Sequence, residues 1–131
     1  MSLLLLDTTF LVGAERRGLS PDDVIGDDDD VAIAAVTVAE LLVGVRLASG
    51  RRRATRQAYV GDITATLPVI PYDAAVAIEH AELLEAVRRE GRPRGAHDLL
   101  IAATARATDR IVVTADTTAF AGLPGVMARG Q

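Results

Sequence analysis

The sequence predicts an α/β fold built on a mostly parallel sheet covered on both faces, and three observations carry that expectation. Short apolar runs of strand length alternate with longer stretches of helical period. The runs are continuously apolar, as strands buried on both faces must be. Acidic residues stand at the edges of these runs, at the sheet edge where open α/β folds place their ligands. With 131 residues the chain is the size of one domain and can bury a core, so residues 1–131 are expected to form a single domain.

Leu3 to Leu6 reads as a buried strand and Thr8 to Arg17 as the helix after it, ended by Gly18. Ser20-Pro21-Asp22-Asp23 is a helix start, with a capping Ser, Pro at the first position and acids facing the positive dipole end. Gly26 and the run Asp27 to Asp30 break it into a loop. Val31 to Ala35 reads as the second strand. Thr37 then opens a helix carrying Val38, Leu41, Leu42 and Val45 on one face. A further helix is expected over Arg51 to Thr64, although Gly61 lies inside it. Val69-Ile70, between Pro68 and Pro71, is a short extended piece. Asp73 caps a long helix to Glu90, which Gly91 closes. Leu99 to Ala107 is apolar almost all round, as in a helix buried on several sides. Ile111 to Thr114 is the third long strand, and Gly125 to Ala128 reads as a last edge strand.

Composition narrows the chemistry. Half the residues are apolar but only 3% are aromatic, so the core must be aliphatic. The absence of cysteine excludes a disulfide framework, a thiolate metal site and a cysteine nucleophile. Two histidines are too few for a His-rich zinc centre, which leaves hard oxygen donors. All 14 basic residues are arginine, so lysine Schiff-base chemistry and the phosphate-loop lysine are excluded. The net charge of −4 argues against nucleic-acid binding, but it is unevenly spread. Arg46, Arg51-Arg52-Arg53 and Arg56 form one basic cluster, and Arg88-Arg89, Arg92 and Arg94 another. Local clusters outweigh the total because charge is screened beyond about 8 Å. A solvated helix face is the simpler reading of Arg51-Arg52-Arg53. Asp7 interrupts the N-terminal apolar stretch, with no basic residue before it, so a cytoplasmic protein with no membrane span is expected.

Four acids are candidate site residues: Asp7, Glu40, Asp98 and Asp116. Each has a structural reading as well. Thr37-x-x-Glu40 has the form of a capping box, and Asp98 in a first helical turn gains ~0.3–1 kcal/mol from the dipole. Asp116 fits a cap or turn. Asp7 ends an apolar strand where local propensity asks for no acid. Together the four stand at the same end of the same sheet, where their repulsion calls for a divalent cation. Thr114, two residues before Asp116, lies on the same side of an extended chain, within reach of a bound water or a phosphate. His97 and Asp98 are helix neighbours about 100° apart, so they do not pair, and the role of His97 stays open. His80 reads as a packing residue, Asp62 as a surface acid and Asp73 as a cap.

At these residues the chain resembles the PIN-domain nucleases, specifically VapC-type toxins of bacterial toxin–antitoxin pairs. The resemblance rests on Leu-Leu-Leu-Asp7-Thr-Thr, Ala35-x-x-x-x-Glu40-Leu-Leu-x-Gly44, His97-Asp98-Leu-Leu-Ile-Ala-Ala and Val-Val-Thr114-Ala-Asp116-x-x-x-Phe120, in order across nearly the whole chain. It implies a three-layer α/β/α fold and Mg²⁺- or Mn²⁺-dependent endonucleolytic cleavage of RNA. It also implies a homodimer and inhibition by a cognate VapB-type antitoxin. Asp7, Glu40, Asp98 and Asp116 match the family's acidic quartet, and Thr114 its strand-end Ser/Thr. An all-carboxylate site suits Mg²⁺ or Mn²⁺, with Asp7 and Asp98 as first-choice ligands. The main rival is a catalytically silent module that binds a cation or RNA. A receiver-type phosphotransfer domain would need a late lysine, and an aspartyl-nucleophile phosphatase an acid where Thr9 stands.

Overall fold

In the computed structural model, which describes residues 1–130, five parallel strands form one sheet in the order β3-β2-β1-β4-β5. The strands are β1 (Leu3–Leu6), β2 (Asp30–Ala34), β3 (Val69–Ile70), β4 (Ile111–Val113) and β5 (Ala128–Arg129). Five α-helices flank them: α1 (Thr8–Arg16), α2 (Ala35–Leu47), α3 (Gly50–Thr66), α4 (Ala74–Glu90) and α5 (Ala96–Ala107). Single 3₁₀ turns occupy Pro21–Asp23 and Thr117–Ala119. Among the described residues no helix is long and apolar enough to cross a membrane.

β1 lies at the centre, and its all-leucine sequence follows from that position. Leu5 packs with Ala32, Leu83, Leu99 and Ile101 on the face covered by α4 and α5. Leu4 and Leu6 point the other way, to Phe10, Leu11, Leu41, Val60 and Ile63 on the face covered by α1, α2 and α3. Two apolar layers on one sheet make the expected three-layer α/β/α arrangement.

The order of strands positions the site. The chain steps outward from β1 to β2 and β3, then returns through α4 and α5 to β4, on the opposite side of β1. The β1–β4 boundary is therefore the topological switch point, and its carboxyl end is where such sheets hold ligands. Leu6 pairs with Val113, and the Asp7 amide donates to the Val113 carbonyl at 3.0 Å.

Several boundaries differ from the sequence reading. Ala35 begins α2 instead of ending β2, and the helix opens two residues before Thr37. The β2 ladder ends at Ala34↔Ile70 because β3 is only two residues long, and alanine enters a helix at once. α3 runs through Gly61 without a break, anchored by buried Val60 and Ile63. A glycine there costs ~1 kcal/mol relative to Ala, which burial of the neighbours offsets. The last strand lies at Ala128–Arg129, beyond a turn in which Gly125 adopts a φ of 69°.

Arg51, Arg52 and Arg53 are all exposed, as the sequence reading expects, and Arg53 has a further role. Its Nε donates to the Ala48 carbonyl at 2.8 Å and its guanidinium also to Arg46 O, closing the carbonyl end of α2. Tyr59 links α3 to α1 by donating to the Leu11 carbonyl at 2.8 Å. Burial, aided by the charge of Glu15, pushes its phenol up to about 12, so it remains a donor. His80 is half-buried, as expected, and meets the Tyr72 hydroxyl at 3.0 Å.

Leu6 is fully buried next to the switch point. Leu6→Ala is expected to cost ~2–5 kcal/mol, the range for a core leucine that leaves a cavity. The urea midpoint should fall with an unchanged slope; an unchanged midpoint would mean that β1 is not the packing centre.

Candidate active site

Asp7 is 2% exposed and fully engaged. Its Oδ1 accepts from the Phe10 amide and the Thr9 hydroxyl, both at 2.9 Å, so Asp7 is the N-cap of α1. This corrects the sequence expectation: local structure does ask for a capping residue here, because the helix begins at Thr8. A serine or asparagine would cap as well, so the cap alone does not demand a buried charge. Oδ2 accepts from Thr114 Oγ1 at 2.6 Å, a bond that spans the β1–β4 switch point.

Thr114 is completely buried. Its hydroxyl donates to Asp7, accepts from the Asp116 amide at 2.9 Å and touches Thr9 Oγ1 at 3.2 Å. It therefore does not face a bound water or phosphate as the sequence reading has it. The hydroxyl joins Asp7 to the backbone at Asp116. Thr9, which the sequence reading used only to reject a phosphatase, belongs to the same network, and its hydroxyl also accepts from the Ala115 amide at 3.2 Å.

Glu40 does not form the capping box. α2 is capped at Ala34 with no side-chain bond, which puts Thr37 and Glu40 inside the helix. The Glu40 carboxylate instead meets other helices. Thr8 Oγ1 donates to Oε1 at 2.7 Å, and His97 Nδ1 lies 3.1 Å from Oε2. His97 thus pairs with Glu40 and not with Asp98, a contact that no spacing in the sequence reveals.

Asp98 stands in the first turn of α5, half-buried, where the dipole favours an acid. Its carboxylate folds back over Gly95, where an added Cβ would come within 2.7 Å of Oδ2. Asp116 is exposed and accepts from the Thr118 hydroxyl at 2.6 Å, as an acid at the head of a short turn does. Arg94 joins these two segments, donating to the Ala119 carbonyl at 3.0 Å and to Ala121 O.

Asp98 and Asp7 sense the acids around them. Burial raises the Asp98 carboxyl above the ordinary carboxylate range, and the charges of Asp7, Glu40 and Asp116 raise it further, while His97 opposes them. Burial also raises Asp7, against the hydrogen bonds from Thr114, Phe10 and Thr9, and Glu40 adds to the rise. Among the described residues no three acids or histidines stand close enough to enclose an ion directly. Mg²⁺ or Mn²⁺ held by one or two carboxylates and several waters would not need a closed protein cage. A cavity of about 520 Å³ lies away from the acids, lined by Leu19, Pro21, Tyr59 and Ile63. Its exposed lining is mainly apolar.

A family model described as the PIN domain matches residues 4–125. The chain is 31% identical over 122 residues to "Ribonuclease VapC4" of Mycobacterium tuberculosis, covering 93% of this chain and 92% of that one. It is 31% identical over 96 residues to the "tRNA(fMet)-specific endonuclease VapC" of Shigella flexneri, covering 73% and 71%. Among solved structures, VapBC-5 of M. tuberculosis, a member of the VapBC family of toxin-antitoxin systems, matches with a TM-score of 0.80 at 29% identity over 100% of both chains. VapBC2 of Rickettsia felis matches with a TM-score of 0.87 at 22% identity over 98% of each, a likeness of fold.

The repulsion at Asp98 has a sign that can be read out. A carboxyl raised in the fold contributes stability that is complete below the ordinary carboxylate range and is lost as pH rises through the raised value. In chelator-treated protein, Asp98→Asn should therefore melt above the parent at about pH 7, and the two should converge towards about pH 4. A lower melting temperature for Asp98→Asn at neutral pH would show the carboxylate to be stabilising.

Proposed function

This chain belongs to the PIN-domain family, in its VapC branch, and on that premise we propose that it is a metal-dependent endoribonuclease, the toxin of a toxin–antitoxin pair. The observation that carries the proposal is the gathering of Asp7, Glu40, Asp98 and Asp116 at the switch point, where the charges of the other three raise the Asp98 carboxyl and Glu40 raises Asp7. Carboxyls raised in this way cost stability, and such positions are characteristic of functional sites.

Asp7 and Asp98 are the direct ligands in this reading, and Glu40 and Asp116 complete the site through waters or around a second ion. Mg²⁺ or Mn²⁺, when bound, supplies positive charge for a phosphodiester and makes water a stronger acid. Asp7 is pre-set for its part, because the α1 amide and the Thr114 hydroxyl fix both of its oxygens before any ligand arrives. Thr114 is accordingly a positioning residue that works through Asp7. The carboxylates also repel an RNA backbone until the cation is in place, so substrate binding depends on the metal.

Single-stranded or looped RNA is the substrate form that an open sheet edge fits, since side chains cannot read the deep groove of an A-form helix. A VapB-type antitoxin is the expected protein partner, as in the solved VapBC complexes, and an arginine from it would pair bidentately with the acids. Aliphatic surface on α2, where Leu42, Val43 and Leu47 are exposed, is open to the antitoxin or to a second copy of the chain.

Sequencing the 5′ ends of RNA after incubation with purified protein tests the proposal. Discrete new ends should appear with Mg²⁺ or Mn²⁺ and vanish with EDTA. Asp7→Asn and Asp98→Asn, each checked for a native melting transition, should lower cleavage by at least about 100-fold, on the scale of losing a group that stabilises the transition state. Full cleavage by either folded variant would remove the acidic site from the chemistry, and no cleavage by the parent would favour a silent binding module.

A further inference from the structure

Glu40 has the longest side chain of the four acids and the most rotamer freedom to lose on ordering. It is nevertheless held at both oxygens by two helices other than its own. Thr8 of α1 donates to Oε1 at 2.7 Å, and His97 of α5 faces Oε2 through Nδ1 at 3.1 Å. The Thr8 hydroxyl also lies 3.5 Å from the buried Thr37 hydroxyl one turn earlier on α2, which keeps it between the two helices. His97 and Asp98 point in different directions from the start of α5. Asp98 turns back over Gly95, and His97 reaches across to α2.

We propose that Thr8 and His97 are positioning residues that hold the Glu40 carboxylate for the metal-dependent reaction, an inference that rests on reading this edge as a nuclease site. Partners of this kind orient a ligand that has more freedom than the ion tolerates, and their loss typically costs roughly 10–100-fold in metal affinity or activity. His97 is 59% exposed and Glu40 27%, so as a mere surface contact the pair would add little and would leave the chemistry untouched. The two roles therefore separate experimentally.

The geometry also says which replacements restore function. Asparagine places an amide nitrogen where His97 has Nδ1, whereas glutamine places one where it has Nε2. Serine keeps the Thr8 donor, and valine keeps its shape without it.

The test is kcat and KM for RNA cleavage in Mg²⁺, with Mn²⁺ affinity by calorimetry on the same folded proteins. His97→Ala and Thr8→Val should each lower kcat about tenfold or more at unchanged KM and weaken Mn²⁺ binding in parallel. His97→Asn and Thr8→Ser should recover most of both, and His97→Gln should not. In a Glu40→Gln background, His97→Ala should have no further effect. Parent-like kcat and Mn²⁺ affinity in His97→Ala would overturn the proposal. So would rescue by Gln and not Asn with a raised KM, which would place Nε2 on the substrate. If the parent cleaves no RNA, the nuclease reading fails, and the Mn²⁺ series alone upholds or overturns the holding of Glu40.

Discussion

The buried carboxylate of Asp7 is the constraint around which this molecule is arranged. It ends the central strand, caps α1 through Phe10 and receives the Thr114 hydroxyl from the end of β4. One side chain thus fastens three elements across the point where the sheet reverses its direction of growth. Burial disfavours its charge, and hydrogen bonds with the helix dipole restore part of the loss. The balance leaves the Asp7 carboxyl raised, with both oxygens fixed at the sheet edge.

The other acids make that charge harder to bear. Glu40 arrives on α2, Asp98 on α5 and Asp116 just beyond β4; the charge of Glu40 raises the Asp7 carboxyl, and Asp7, Glu40 and Asp116 together raise Asp98. A chain selected only for stability would replace one of them with an amide, as the caps and first-turn positions all allow. Their presence together at that cost fits the proposed site, where stability is given up for function. The local hydrogen bonds reduce the cost without removing the field: Thr114 serves Asp7, and Thr8 with His97 serves Glu40.

Much of this was legible in the sequence, because continuous apolar runs and helical periods are local signals. The parallel sheet follows from their alternation, and the acids could be placed at its edge from their flanks alone. Misreadings arose where tertiary structure decides. The start of α2 depends on the length of β3, thirty-odd residues later, and so the Thr37–Glu40 spacing imitated a capping box that does not form. Asp7 carried a capping signal that its apolar flank obscured. The sequence puts Thr114 at the right strand end, but its hydroxyl turns inward because the register Leu6↔Val113 brings Asp7 beside it. Arg53 and His97 act on carbonyls and a carboxylate of another helix, and no spacing within their own helices announces such partners.

Calorimetric titration of Mn²⁺ into chelator-treated, refolded-free protein at neutral pH addresses the central claim most directly, since it requires neither an RNA nor a partner. Saturable binding is predicted for the parent, with loss of measurable binding in Asp7→Asn despite a native melting transition, because the cation answers the field of which Asp7 is the buried centre. A folded parent that takes up no Mn²⁺, or an Asp7→Asn variant that binds it as tightly as the parent, would contradict the reading of these four acids as a metal site.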